Sequence, residues 1–340
     1  MKALICEEPG RLSLGSRPDP VRGQGEVKVR IRHVGICGTD FHIFAGKHPF
    51  LEYPRIMGHE LSGTVEEAPV DSALKRGDPV YIVPYISCGT CQACRRGLSN
   101  ACCRIEVLGV HRDGGMAEYV CVPERNVIPT GNIALRDAAM IEFLAIGAHG
   151  VRRGGIGAQD RVLVTGSGPI GMSAVIFAKS RGADVTVMDI REDRLAFAVD
   201  GLGADRTIFA GSDAEAEAER QTGGDWYDVV IDATGNAGPI QRGFGFLNHG
   251  ARYVLLSVVR QDITFSDPEF HKREATLFAS RNAQPDDFAE VVRQIEAGNV
   301  PTRALNTHSG RLENGIELFA DWSRPEAGVI KAILEVGDSG

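Results

Sequence analysis

The period of the hydrophobic positions changes near residue 150. Before it, short apolar runs alternate with polar residues and are cut by Gly, Pro and Asp turns. Val27-Lys-Val-Arg-Ile-Arg-His-Val34 has the two-residue period of a half-buried strand, and Gly77-Asp78-Pro79 turns the chain into Val80-Tyr-Ile-Val83. Residues 1–125 therefore predict a β-rich region. Beyond residue 150, the continuous apolar runs 161–165 and 184–189 alternate with helix-like stretches at 169–181 and from 191 to about 200, and 228–232 and 252–256 read as further strands. Strands alternating with helices predict right-handed crossovers and a parallel sheet. The pattern loosens after about residue 282. Pro285 then opens an amphipathic helix through Ile295 that stops at Gly298. The run from Ala214 to Arg220, alternating Ala and Glu, reads as a solvated helix end.

Composition narrows the classes. A chain of 340 residues is long enough for two domains with separate cores. The net charge is −8 and no Lys/Arg-rich run offsets it, which argues against nucleic acid or an anionic membrane as the main partner. The longest apolar stretch, from Ala138 to Gly147, is interrupted by Glu142, so no bilayer span is expected. Met1 to Cys6 runs straight into Glu7 and Glu8, too short for the core of a secretory leader. Clustered cysteines without a leader predict metal-bound and free thiols in the cytoplasm.

Three groups of residues carry chemistry. Cys88, Cys91, Cys94 and Cys102 place four soft ligands at short spacings, the pattern of a closed tetrahedral zinc site that locks a loop. Gly166-Ser-Gly168-Pro169-Ile170-Gly171 follows a strand and opens a helix, so it predicts a dinucleotide cradle with the pyrophosphate at the helix N-terminus. Asp189 ends the next strand, where a carboxylate accepts ribose hydroxyls and repels a 2′-phosphate. This favours NAD over NADP, although Arg191 and Arg194 lie close by; Arg194 is assigned to the adenine face. The third group is Cys37 and His59, a thiolate and an imidazole that need a third protein ligand to form an open zinc site. Glu142, a lone carboxylate in an apolar run, is the first choice; Glu60 competes, as an alternating ligand or a partner behind the ligands. Asp40 is expected to orient His59.

These residues resemble the zinc-dependent medium-chain dehydrogenases over nearly the whole chain. The resemblance rests on Gly35-Ile-Cys-Gly-Thr-Asp40, Gly58-His-Glu-Leu-Ser-Gly63, the cysteine quartet and the glycine fingerprint. It implies an α/β plus β architecture. A GroES-like β-barrel catalytic domain would comprise residues 1–150 and 282–340, and a Rossmann doubly wound parallel-sheet domain residues 151–281. Within the family, Cys37, His59 and Glu142 look like the polyol (sorbitol) dehydrogenase branch. The stretches around Gly109-Val-His111, Ile231-Asp-Ala-Thr-Gly-Asn236 and Phe265 to Glu274 look like its L-galactonate 5-dehydrogenase group. Departures are Phe143 where the family often has Pro, the loop Ala68-Pro-Val-Asp71 in place of a glycine-rich turn, and a spare thiol at Cys103.

The implied activity is oxidation of a secondary alcohol of a polyol or sugar acid, with two zinc ions per chain, one catalytic and one structural, and hydride transfer to NAD. The resemblance assigns the proton relay to Thr39 and His42, and implies a homodimer or homotetramer. A sugar acid needs a partner for its carboxylate, for which His111, His271, Lys272 and Arg281 are available; Arg281 also stands at the sheet end, in reach of a cofactor. Two alternatives are a threonine or short-chain alcohol dehydrogenase on the same scaffold, and a zinc-stabilised nucleotide-binding sensor without turnover.

Overall fold

The structure, a computed structural model, describes residues 1–47 and 51–337. Its contacts separate two compact units, Met1–Glu142 with Thr302–Gly340, and Phe143–Pro301.

The first unit is built around one long strand, Glu26–Ile36, in a seven-stranded sheet. It pairs antiparallel with Glu60–Glu67, with Tyr119–Pro123 and with Lys331–Glu335. The strand read at 27–34 thus extends at both ends; Val27, Val29 and Ile31 alternate inward, and after a register shift between Ile31 and His33 the residues Val34, Gly35 and Ile36 are buried in succession. The strand Lys331–Glu335 returns from the far end of the chain to register Ala332 against Ile36, so the C-terminal segment completes this sheet. A three-stranded sheet of Arg11–Ser16, Lys2–Glu8 and Arg55–Ile56 shares the same core.

The second unit carries six parallel strands. Across the sheet they run Arg206–Phe209, Asp184–Asp189, Arg161–Thr165, Tyr227–Asp232, Leu247–Leu255 and Thr276–Ala279, all joined in parallel register. The chain starts in the middle, winds outward one way and then the other. That order creates a topological switch point beside Arg161–Thr165, where nucleotides bind in open α/β sheets. Of these strands, Arg206–Phe209 escapes a reading of the pattern because only Ile208 is fully buried. The Ala/Glu run forms a complete helix, Ala214–Thr222, with Ala214, Ala218 and Thr222 buried at helical spacing and the glutamates outward.

The units divide at 142/143 and 301/302, not at 150 and 281. Two helices explain the difference. The helix Ile141–Arg153 is tied to Pro169–Ser180 by the Ser173 hydroxyl, which donates to the Leu144 carbonyl at 2.8 Å. It is tied to Pro285–Glu296 by His149 and Arg152, both bonded to Asp287. These contacts bring residues 143–150 and 282–301 into the nucleotide-type unit. Among the described residues no helix is long and apolar enough to cross a membrane.

Candidate active site

Antiparallel register assembles the metal residues. Gly35 pairs with Glu60, so the residues just beyond, Cys37 and His59, emerge side by side from neighbouring strands. Cys37 Sγ, an imidazole nitrogen of His59 and a carboxylate oxygen of Glu60 all lie within 4.8 Å of one another. His59 and Glu60 are buried and Cys37 is half-buried. Gly35 makes the room: a Cβ there would stand 2.2 Å from Glu60 Oε2.

Glu142 does not join that converging set within 4.8 Å. It sits in the first turn of Ile141–Arg153, buried, and its Oε1 accepts a hydrogen bond from the Tyr85 hydroxyl. Burial pushes its carboxyl up to about 7, against the opposing pull of His59 and the Tyr85 donor. Two carboxylates therefore stand near the Cys37–His59 pair. One is held by a neutral donor. The other, Glu60, is held by Lys331, whose Nζ donates to both carboxylate oxygens at 2.7 Å.

Asp40 is buried in the helix Gly38–Phe44. It accepts from the backbone N–H of Cys37 at 2.9 Å and of Gly58 at 3.3 Å, tying together the two segments that carry the ligands. Its Oδ1 lies 3.8 Å from His59 Nδ1, longer than a hydrogen bond, so it acts on the imidazole by charge. Burial alone would lower the His59 pKa, yet Asp40 and Cys37 hold it well above the ordinary value. Among the described residues, His59 Nδ1 is buried without a hydrogen-bond partner. A thiol, an imidazole and carboxylates that gather negative charge in a buried place fit a divalent cation of the zinc type.

Thr39 and His42 lie three residues apart on the helix Gly38–Phe44, one turn along the same face; Thr39 is half-buried and His42 is exposed. His111 is exposed, and its Nδ1 accepts from the Val107 N–H at 3.1 Å, which folds it into its own loop.

The four sulfurs of Cys88, Cys91, Cys94 and Cys102 also gather within 4.8 Å of one another. The closest contacts, 3.5 Å for Cys91–Cys94 and 3.9 Å for Cys91–Cys102, are far longer than a disulfide, and every cysteine is free. Backbone donors point at them: Cys88 N–H at Cys102, Cys91 N–H at Cys88, and Arg104 N–H at Cys102, at 3.3–3.4 Å. The Thr90 N–H, the Arg104 guanidinium and the Cys91 N–H lower the Cys88 thiol to about 5. Cys91 is lowered to about 7 by N–H donors as well, whereas burial and the neighbouring thiols raise Cys94 to about 11; four sulfurs this close, two of them held as thiolates by N–H groups, suit a closed zinc site. Cys103 is exposed and outside the four.

In the other unit, Gly166–Gly171 forms the turn between Arg161–Thr165 and the helix Pro169–Ser180. A Cβ on Gly171 would lie 1.8 Å from the Gly166 carbonyl oxygen, so no side chain fits. Around Gly168, the N-cap, nothing stands within 4 Å of a Cβ position, leaving an open approach to the helix N-terminus past Pro169 and Ile170. Asp189 closes the turn: its Oδ2 accepts from the Ser167 N–H at 2.5 Å and its Oδ1 from the Arg191 N–H at 2.9 Å. The Arg191 side chain pairs with Asp193, with a shortest contact of 2.7 Å. Arg194 is buried and Arg281 exposed.

Sequence reasoning missed Tyr85 and Lys331. Lys331 carried the same signal as Glu142, a lone charge in an apolar run (Ile330-Lys-Ala-Ile-Leu334). Tyr85 had none, because a tyrosine in a β-rich stretch is ordinary.

Comparisons with known proteins give the family. Residues 23–132 match the alcohol dehydrogenase GroES-like domain and residues 169–297 the zinc-binding dehydrogenase domain. The chain is 41% identical over 309 residues, 91% of each chain, to L-galactonate-5-dehydrogenase of Escherichia coli K12. It is 34% identical over 290 residues to D-altritol 5-dehydrogenase of Agrobacterium fabrum, covering 83% of this chain and 84% of that one. A crystal structure of an alcohol dehydrogenase from Escherichia coli CFT073 complexed with NADH superposes with a TM-score of 0.93 at 30% identity, covering 98% of this chain and 99% of the other. The protein belongs to the zinc-binding medium-chain alcohol dehydrogenase family, and it is an alcohol or polyol dehydrogenase with a GroES-like unit and a Rossmann unit.

Proposed function

We propose that this dehydrogenase oxidises a secondary alcohol of a sugar acid, L-galactonate or a close relative, with NAD as hydride acceptor. The observation that carries the reading is the convergence of Cys37, His59 and Glu60 in a chain so similar to an L-galactonate dehydrogenase.

Cys37 and His59 would hold the catalytic zinc together with a carboxylate from Glu142 or Glu60, and when bound the ion lowers the pKa of the substrate hydroxyl. The chain's own side chains do the rest. Thr39, half-buried, takes the hydroxyl proton; His42, exposed on the same helix face, passes it to solvent. Gly166–Gly171 and the N-terminus of Pro169–Ser180 fix the pyrophosphate, and Asp189 accepts the ribose hydroxyls. NAD is favoured over NADP because Asp189 would repel a 2′-phosphate and Arg191 is engaged with Asp193. Arg194 covers the adenine, Arg281 faces the cofactor, and His111 meets the substrate carboxylate. The cysteine quartet holds the structural zinc. Residues 1–142 with 302–340 form the catalytic domain and 143–301 the cofactor domain. The enzyme works in the cytoplasm as a homodimer or homotetramer.

The test is a panel of C6 aldonates, alditols, L-threonine and 2-propanol with NAD and NADP, alongside metal counting. L-Galactonate with NAD should give the highest kcat/KM. Cys37→Ser should remove one of the two bound metals and abolish turnover while leaving the fold intact. Preference for L-threonine or a simple alcohol, or full activity in Cys37→Ser, would overturn the proposal.

A further inference from the structure

The stretch Ile231-Asp-Ala-Thr-Gly-Asn236 has no part in the sites described above. Its Asp232 ends the strand Tyr227–Asp232 and is sealed from solvent, 0% exposed. The carboxylate accepts four hydrogen bonds, two on each oxygen. Oδ2 accepts from the hydroxyls of Thr165 at 3.0 Å and Thr234 at 2.9 Å. Oδ1 accepts from the Ser257 hydroxyl at 2.6 Å and the Thr234 N–H at 3.2 Å. These bonds fill the acceptor places of a carboxylate, and every donor is neutral. Burying a carboxylate is costly; one that is bonded on all sides fixes the groups that bond it.

The donors come from the carboxyl ends of three adjacent strands. Thr165 ends Arg161–Thr165 and leads into the glycine turn, Thr234 lies in the turn after Tyr227–Asp232, and Ser257 follows Leu247–Leu255. Arg161–Thr165 and Asp184–Asp189 stand on one side of the switch point, Tyr227–Asp232 and Leu247–Leu255 on the other. A sheet wound this way has two mononucleotide-binding halves, and a dinucleotide lies across the crevice between them. Asp232 therefore ties the half with the glycine turn to the half with residues 233–236 and Ser257. The two halves approach closely here: the Ala233 N–H donates to the Thr165 carbonyl at 2.8 Å, and a Cβ on Gly166 would stand 2.9 Å from the Ala233 carbonyl oxygen. Thr234 is half-buried, and Gly235 and Asn236 are exposed beyond it.

We propose that Asp232 is a positioning residue that locks the two halves of the cofactor site together, so that a dinucleotide gains affinity from both at once. The inference rests on the reading of Gly166–Gly171 as the pyrophosphate cradle. Fixing both halves before binding lowers the ordering cost that the whole cofactor would otherwise bear. A mononucleotide seated on the Asp189 side uses one half alone and gains nothing from the lock.

The test titrates the full chain with NADH, read by its fluorescence, and separately with AMP, read by calorimetry, at a temperature where each variant is folded. In Asp232→Ala the affinity for NADH should fall about tenfold, the effect of losing a set of hydrogen bonds to a carboxylate. The affinity for AMP should hold, and KM for NAD should rise more than kcat falls. A merely structural carboxylate would not separate the two ligands. Should Asp232→Ala fail to fold, Thr234→Val/Ser257→Ala, which removes two of the donors and leaves the bond from Thr165, should show the same separation. Equal loss of NADH and AMP affinity in the folded variant would overturn the proposal, as would NADH affinity at the wild-type level. If the wild type binds neither NADH nor AMP, the reading of the glycine turn itself fails and this inference with it.

Discussion

The Tyr85 hydroxyl donates to the Glu142 carboxylate, and both groups are buried in the first unit. The hydrogen bond favours the ionised carboxylate against the cost of burial, which has already raised Glu142 to about 7. Tyr85→Phe removes the donor and raises Glu142 further. Metal uptake at the Cys37 site should then move to higher pH, and kcat/KM at neutral pH should fall about tenfold, the equivalent of ~1.4 kcal/mol. Metal occupancy measured across pH 5–9 checks this. An unchanged profile would show that Tyr85 has no influence on Glu142.

Loss of the cysteine quartet should separate stability from chemistry. In Cys94→Ser, one metal per chain should be lost and the melting temperature should fall, by ~2–4 °C for each kcal/mol of binding energy removed. The Cys37-dependent metal should remain, so residual folded enzyme should keep near-normal KM. Metal analysis and calorimetry on the same sample test the separation. Equal loss of both metals would contradict it.

Asp189 is held by the N–H groups of Ser167 and Arg191, which aim its carboxylate into the glycine turn. In the proposed role of Asp189, Asp189→Ala removes the repulsion towards a 2′-phosphate and the acceptor for the ribose. The ratio of kcat/KM for NADP over NAD should rise at least about tenfold, with most of the change in KM for NAD. Initial rates with both nucleotides give the ratio.

The Asp287 carboxylate joins two helices, accepting from His149 at 2.8 Å and Arg152 at 2.6 Å. Burial would raise its pKa, but the bonds from His149, Arg152 and the Gln284 N–H lower it to about 2. With the folded value below the ordinary 3.8, the stabilisation is fully present above about pH 4 and is lost as pH falls towards 2. The contribution at neutral pH is about 2 kcal/mol. Asp287→Asn should lower the stability at pH 7 by that order and flatten its dependence between pH 4 and 2, measured by urea unfolding.

Local pattern is enough to place the strands Arg161–Thr165 and Asp184–Asp189 and the helix Pro169–Ser180, because each is specified by its own residues: β-branched runs, a glycine turn, a proline at N1. The cysteine quartet and the glycine fingerprint are legible for the same reason, since their partners lie within fifteen residues or one turn of each other. The strand Arg206–Phe209 and the polar start of Leu247–Leu255 are less legible, because neighbours across the sheet hold them more than their own composition does.

The sequence alone determined the donor types, one thiol, one imidazole and two glutamates, together with a family pattern that nothing in the structure displaces. Tertiary structure decided how those donors are shared. Antiparallel register put Cys37, His59 and Glu60 together, a hydrogen bond drew Glu142 to Tyr85, and a strand from the end of the chain brought Lys331 to Glu60. Spacing along a chain encodes what a loop or a helix turn can hold; partners separated by 57 or 271 residues meet only when the first unit folds.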